Sequence, residues 1–154
     1  MNGFSSKFHQ LCKSLCEAAG SSVPPLDPDL NGDMAIEVGF GDVSIAVSHE
    51  PGRAPAHAHV SVIFGPLPPG RALAASQALM ELNTVMLKQC DCTFARHPDS
   101  GEIVLRYPYR LSGASALDLY GRLVEFAEIA RAWREHHFLS PAGHCSLGML
   151  APSQ

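Results

Sequence analysis

The chain has 154 residues, of which 46% are hydrophobic and 17% charged, and its formal net charge is −4. This length and composition predict a single globular domain and exclude a fibrous or intrinsically disordered protein. The sequence contains no cluster of Lys or Arg, so we expect no nucleic-acid partner, because nucleic-acid binding needs a basic footprint.

The sequence also indicates in which cellular compartment the protein lies. No apolar run approaches the roughly 20 residues that a membrane helix needs. The N-terminus lacks the basic start and the long apolar stretch of a signal peptide. The five cysteines are odd in number, and their spacings do not form a disulfide framework. We therefore expect a cytoplasmic protein with reduced thiols and no membrane partner.

The first half of the chain combines one helical pattern with three strand patterns. Apolar residues recurring every three or four positions predict an amphipathic helix over residues 4–19, which ends at Gly20. After a loop, period-two alternation predicts a hairpin of strands over residues 34–40 and 43–48. A third strand is predicted over residues 57–64.

The next predicted helix, over residues 71–89, is apolar on two opposite sides. One side carries Ala75, Leu79, Leu82 and Met86, and the other carries Leu73, Met80 and Leu87. A helix that is apolar on opposite faces must be buried on both. In a chain this short, one face can cover the chain's own sheet, and the other then meets a second copy. The pattern therefore predicts a homodimer that is joined through this helix.

The remaining elements are two strands and a helix. Strands are predicted over residues 91–97 and 102–110, and a final helix over residues 116–136. Residues 138–154 have no period and predict an irregular tail after a domain that spans residues 1–137. The order helix, three strands, helix, two strands, helix predicts an α+β domain on a mostly antiparallel, twisted sheet of about five strands.

Two motifs could carry chemistry. His57 and His59 place two imidazoles on one face of a strand, but a zinc site needs three or four ligands and the spacing indicates no third. Cys145 follows His144 in the aperiodic tail, where the flanking glycines lie too far apart for a nucleophile elbow. A metal-binding enzyme that uses His57, His59 or Cys145 stays an alternative. We expect no catalytic residue, no metal and no cofactor.

Four features in this order resemble one family. They are the amphipathic helix from Phe4 to Leu15; the corner Phe64-Gly65-Pro66-Leu67-Pro68; the phrase Leu79-Met80-Glu81-Leu82-Asn83; and the hairpin turn Asp99-Ser100-Gly101 ahead of a helix with Phe126, Ala130 and Trp133. Over roughly residues 4–136 the chain resembles the class I type III secretion chaperones, the Tir chaperone family.

The resemblance implies binding without catalysis. Such a chaperone is a cytoplasmic bacterial homodimer, linked to virulence, that holds the extended N-terminal segment of a secreted effector without ATP hydrolysis. The implied dimer-interface residues are Leu79, Leu82, Asn83 and Met86. The implied effector-binding residues are Phe8, Leu11, Ile45 and Val47. The alternative within the same fold is a binding or regulatory module that is unrelated to secretion.

Overall fold

The computed structural model describes residues 3–86, 88 and 90–139, which form three helices and one five-stranded sheet. The elements are α1 Gly3–Ala18, β1 Met34–Phe40, β2 Val43–His49, β3 His57–Pro66, α2 Ala72–Met86, β4 Thr93–Arg96, β5 Glu102–Arg110 and α3 Ala116–His136. The predicted α+β class and element order are confirmed. Residues 140–154 lie outside the described residues, so the domain limit at residue 137 and the irregular tail stay predictions.

The strand order in the sheet is β1-β2-β3-β5-β4, and every neighbouring pair is antiparallel. Gly41 adopts a φ of 66° in the turn of the β1–β2 hairpin, a left-handed conformation that favours glycine. β3 then pairs with β5, so that His57 lies opposite Arg110. β4 pairs with the other side of β5, which leaves β4 at one edge of the sheet and β1 at the other.

Period-two alternation buries one face of the sheet. Val47 pairs with Val60, and Val62 pairs with Leu105, and none of the four is exposed. We call this the inner face, because α1 and α3 cover it. The covering helices contribute large side chains, seen in the ring contacts of Phe8 with His49 at 5.3 Å and of Trp133 with Phe64 at 5.8 Å.

The other face, which we call the outer face, points away from α1 and α3. It carries small and polar side chains, which include Ser44, Ser48 and Ser61. These are half-buried or exposed, whereas the inner positions are buried. The alternation therefore separates a buried face from a face that is partly accessible to solvent, as expected for an antiparallel sheet that is packed on one side.

The start of α3 is fixed by side-chain hydrogen bonds. The Ser115 hydroxyl accepts from the Asp118 N–H, which makes Ser115 the N-cap. The Tyr109 hydroxyl accepts from the Ser115 N–H at 3.1 Å and lies 3.2 Å from the Asp118 carboxylate. Among the helices of the described residues, none has the length and apolar content that crossing a membrane requires.

Candidate partner-binding surfaces

A groove of about 290 Å³ lies between α1 and the segment that joins β5 to α3. Its lining residues are Lys7, Gln10, Leu11, Ser14, Leu111, Gly113, Ala114 and Ala116. Leu11 and Leu111 are nearly buried and form the apolar floor, while Lys7 and Gln10 are exposed at the rim. An apolar floor with a polar rim suits an apolar side chain that enters from an extended peptide.

The four predicted effector-binding residues lie in two kinds of environment. Leu11 lines the groove on α1. Phe8, Ile45 and Val47 have no exposed surface, because α1 directs Phe8 inward and β2 directs alternate residues to the inner face. These three residues therefore support the sheet and α1 from inside the protomer, where a partner segment cannot touch them without opening the core.

The two apolar sides of α2 lie in different environments. Leu79, Leu82 and Met86 face the protomer core, with exposures of 5%, 4% and 2%. On the opposite side, the exposures of Leu73 and Met80 are 73% and 66%. The apolar side of α2 that is exposed on the protomer is therefore the Leu73 and Met80 side, whereas the predicted interface leucines are buried.

Asn83, the fourth predicted interface residue, binds the outer edge of β4. Its side-chain nitrogen donates to the Phe94 carbonyl oxygen at 3.0 Å, and its side-chain oxygen accepts from the Phe94 N–H at 2.7 Å. The amide of Asn83 thus satisfies both backbone groups of Phe94, as a neighbouring strand would. β1, at the other edge, has β2 as its paired strand on one side, and its remaining backbone groups face outward.

The predicted metal-ligand candidates His57 and His59 lie apart from the groove on α1. His57 and His59 are half-buried on the outer face, and His59 lines a cleft of about 450 Å³ with Glu50, Arg53, Ala54 and Arg106. Burial and, next, the nearby Arg106 guanidinium lower the pKa of His59. Within the described part of the chain, no group of three His, Cys, Asp or Glu side chains could hold a metal ion. Cys145 lies outside the described residues.

The sequence predicts Cys90 and Cys92 as small apolar side chains in a strand, but the pair lies ahead of β4, between that strand and α2. Both thiols are free and buried. A hydrogen bond with Cys92 lowers the pKa of Cys90 to about 7, against the effect of burial, and the pKa of Cys92 is raised by the same bond. The one-residue spacing was visible in the sequence, but only the folded turn brings the two sulfur atoms together.

Comparison with known proteins gives a match at the level of fold. No protein-family model matches the sequence, and no curated protein matches it. Three solved structures are similar: a chain of the ExsC–ExsE complex, with a TM-score of 0.69 and 16% identity over 91% of this chain and 99% of that one; a chain of the HopA1–SchA chaperone–effector complex, at 0.64 and 14% over 88% and 98%; and a chain of the ExoT–SpcS complex from Pseudomonas aeruginosa, at 0.59 and 17% over 86% and 98%.

These identities are low, so the likeness establishes the fold. It extends over 86% to 91% of this chain and 98% to 99% of the matched chains.

Proposed function

We propose that this protein is a class I type III secretion chaperone of the bacterial cytoplasm. It binds the extended N-terminal segment of an effector protein, keeps that segment soluble and ready for secretion, and acts without ATP hydrolysis or any other catalysis. In this proposal the protein acts by binding, and its functional oligomeric state is a homodimer.

One observation carries the proposal: the chain shares its fold, almost from end to end, with a chain of a chaperone–effector complex. The HopA1–SchA structure is by its own description a chaperone–effector complex, and 98% of the matched chain is covered. A fold can host several functions, so the surfaces of this chain must also suit the role.

An extended segment could be held at two sites on one protomer. The groove on α1 offers Leu11 and Leu111 as an apolar floor, and burying one large apolar side chain there contributes roughly 1.5–3 kcal/mol. The outward edge of β1 offers backbone donors and acceptors for an added strand. Backbone hydrogen bonds and apolar pockets need no chemical energy, which fits a chaperone that acts by binding alone.

The homodimer would form through the exposed side of α2. Leu73 and Met80 are 73% and 66% exposed on the same side of α2, and exposed apolar surface that is contiguous marks an interaction site. Leu79, Leu82 and Met86 hold α2 on its own protomer, and Asn83 holds β4. We therefore assign the interface to the same helix that the sequence indicated, but to its opposite side.

Capture of a partner from the native bacterium, with the tagged protein as bait and mass spectrometry as the readout, tests the proposal. We expect one dominant secreted protein, whose binding survives deletion of its folded domains and is lost when its N-terminal segment is removed. A partner that binds through a folded domain would instead favour a regulatory module that is unrelated to secretion.

A pair of variants on α1 makes the test specific to the groove. Gln10→Trp places a bulky ring at the rim of the groove, whereas Lys13→Trp places the same ring on an exposed position of α1 outside it. We expect Gln10→Trp to weaken effector binding at least tenfold and Lys13→Trp to leave it within about twofold of the parent. Equal effects of the two variants would remove the groove from the proposal.

A further inference from the structure

A group of basic side chains lies together on the outer face of the sheet, away from α1 and α3. His57 lies opposite Arg110 in the β3–β5 ladder, and Ser61 lies opposite Arg106. His59 stands between them, and the loop after β2 adds Arg53. We call Arg53, His57, His59, Arg106 and Arg110 the cationic patch. Three of these residues, Arg53, His59 and Arg106, line the cleft of about 450 Å³ described above.

The cationic patch is not neutralised by its surroundings. Arg53 forms an ion pair of 3.7 Å with Glu50, the carboxylate that lines the cleft. Among the described residues, no carboxylate lies within ion-pair distance of Arg106 or Arg110. Three arginines against one glutamate leave two positive charges in excess, on a chain whose net charge is −4. A local excess of positive charge attracts an anionic partner, even though the chain as a whole is negative.

The spacing of the arginines gives the shape of that partner. Arg106 and Arg110 both point to the outer face, because Leu105 and Tyr109 take the inner positions of β5. Four residues of strand separate them, which is about 13 Å. Carboxylates at positions i and i+4 of an extended peptide have the same separation, and a guanidinium binds a carboxylate through two parallel hydrogen bonds.

We propose that the cationic patch binds an extended acidic segment of a partner protein, with carboxylates four residues apart seated on Arg106 and Arg110. This surface lies on the opposite face of the sheet from α1 and its groove. It would therefore serve a second binding event, and the inference stands independently of the effector-binding role. A nucleic acid is the less suitable anion, because it needs a longer run of cations than these three arginines supply.

The histidines add a dependence on pH. The pKa of His59 is lowered mainly by burial, then by Arg106, with smaller contributions from His57 and Arg53 in the same direction and from Glu50 in the opposite one. His59 is therefore neutral at pH 7 and gains its positive charge only in more acidic solution. Because a bound carboxylate favours the charged imidazole, acidic-peptide binding should strengthen as the pH falls and His59 gains its proton.

Fluorescence anisotropy with the purified protein tests the proposal. The probe is a labelled peptide of Gly, Ser and Asp with aspartates four residues apart, and the control peptide has Asn in place of Asp. We expect binding of the Asp peptide that weakens several-fold between about 0.05 and 0.2 M salt, and no measurable binding of the Asn peptide. Equal binding of the two peptides, or no binding of either, would overturn the proposal.

Variants identify the surface. We expect the double variant Arg106→Gln, Arg110→Gln to lose at least tenfold in affinity, and Lys13→Gln with Arg71→Gln, which removes the same charge elsewhere, to stay within about twofold. All four side chains are exposed, so thermal unfolding should be unchanged.

Two further measurements separate the alternatives. Gln10→Trp should leave peptide affinity unchanged, which separates this surface from the groove on α1. A single-stranded oligonucleotide that binds more tightly than the Asp peptide and competes with it would reassign the patch to nucleic acid and overturn the proposal.

Discussion

The guanidinium of Arg134 donates to the carbonyl oxygen of Phe64 at 2.7 Å. It also donates to the carbonyl oxygens of Ile63 at 2.9 Å and Asp42 at 3.0 Å. The β3–β5 register shifts between Ile63 and Gly65, so the carbonyls of Ile63 and Phe64 lie where the ladder is irregular. One side chain of α3 thus completes the hydrogen bonding of the bulge in β3 and reaches the turn between β1 and β2.

Arg134→Ala should lower the free energy of unfolding by about 2–3 kcal/mol, because it leaves several carbonyl oxygens without a charged donor. The matched control is Arg131→Ala. Arg131 is more exposed and donates to one carbonyl, that of Phe40, so we expect a loss of about 1 kcal/mol or less. Urea unfolding measures both, and equal losses would show that the bulge does not depend on Arg134.

Asn83→Ala should expose the backbone of the β4 edge. Without the side-chain amide, the N–H and carbonyl of Phe94 lose their partner, at a cost of about 1–2 kcal/mol. Thr84→Ala is the control, because the Thr84 hydroxyl bonds only to a carbonyl of its own helix. Hydrogen exchange should become faster at the Phe94 amide in Asn83→Ala alone. Unchanged exchange there would mean that solvent or β5 already satisfies this edge.

The two sides of α2 predict opposite phenotypes for one substitution. Met80→Asp should give a folded monomer, since Met80 is exposed on the side that we assign to the dimer interface. Leu82→Asp should unfold the protein, because it places a charge in the core. Leu117→Asp, at an equally exposed leucine of α3, should leave the dimer intact. Light scattering combined with circular dichroism separates these results, and a dimer that persists in Met80→Asp would exclude this interface.

Cys90 should be the first described cysteine to react with iodoacetamide. The hydrogen bond from Cys92 lowers its pKa to about 7, so about half of it is thiolate at neutral pH, whereas burial raises the pKa of Cys12 to about 12. The alkylation rate of Cys90 should therefore rise between about pH 6 and 8 and then level off. Mass spectrometry of the native protein follows each site. In Cys92→Ala, which removes the hydrogen-bond donor to Cys90, the midpoint should move upward.

Periodicity predicted the architecture because apolar side chains repeat with the geometry of their own element. The eight elements lie where the sequence indicated, although β4 begins at Thr93, two residues late, because the chain bends at Asp91 ahead of it. The same periodicity found both apolar sides of α2. It could not tell which side the sheet would cover, since Leu79 and Met80 are equally apolar and only tertiary packing distinguishes them.

Contacts between distant elements were not accessible from the sequence. Asn83 and Phe94 belong to different elements, and no local pattern indicates that the side-chain amide would pair with that backbone. The cationic patch likewise depends on the register that brings Arg110 beside His57 and Arg106 beside Ser61. A change of register by one residue would send both arginines to the inner face.

The strand order also has a consequence for folding kinetics. β1, β2 and β3 pair through short connections, and so do β4 and β5, but Pro66 of β3 pairs with Glu102 of β5 across all of α2 and β4. Closing that long loop carries the largest entropic cost in the sheet. We therefore expect the three-strand meander to form first. Val38→Ala should then slow refolding, whereas Leu105→Ala should mainly speed unfolding, and the reverse pattern would contradict this order. The last strands to pair would then be β3 and β5, in the interior of the sheet, after each of them has already paired with its other neighbour.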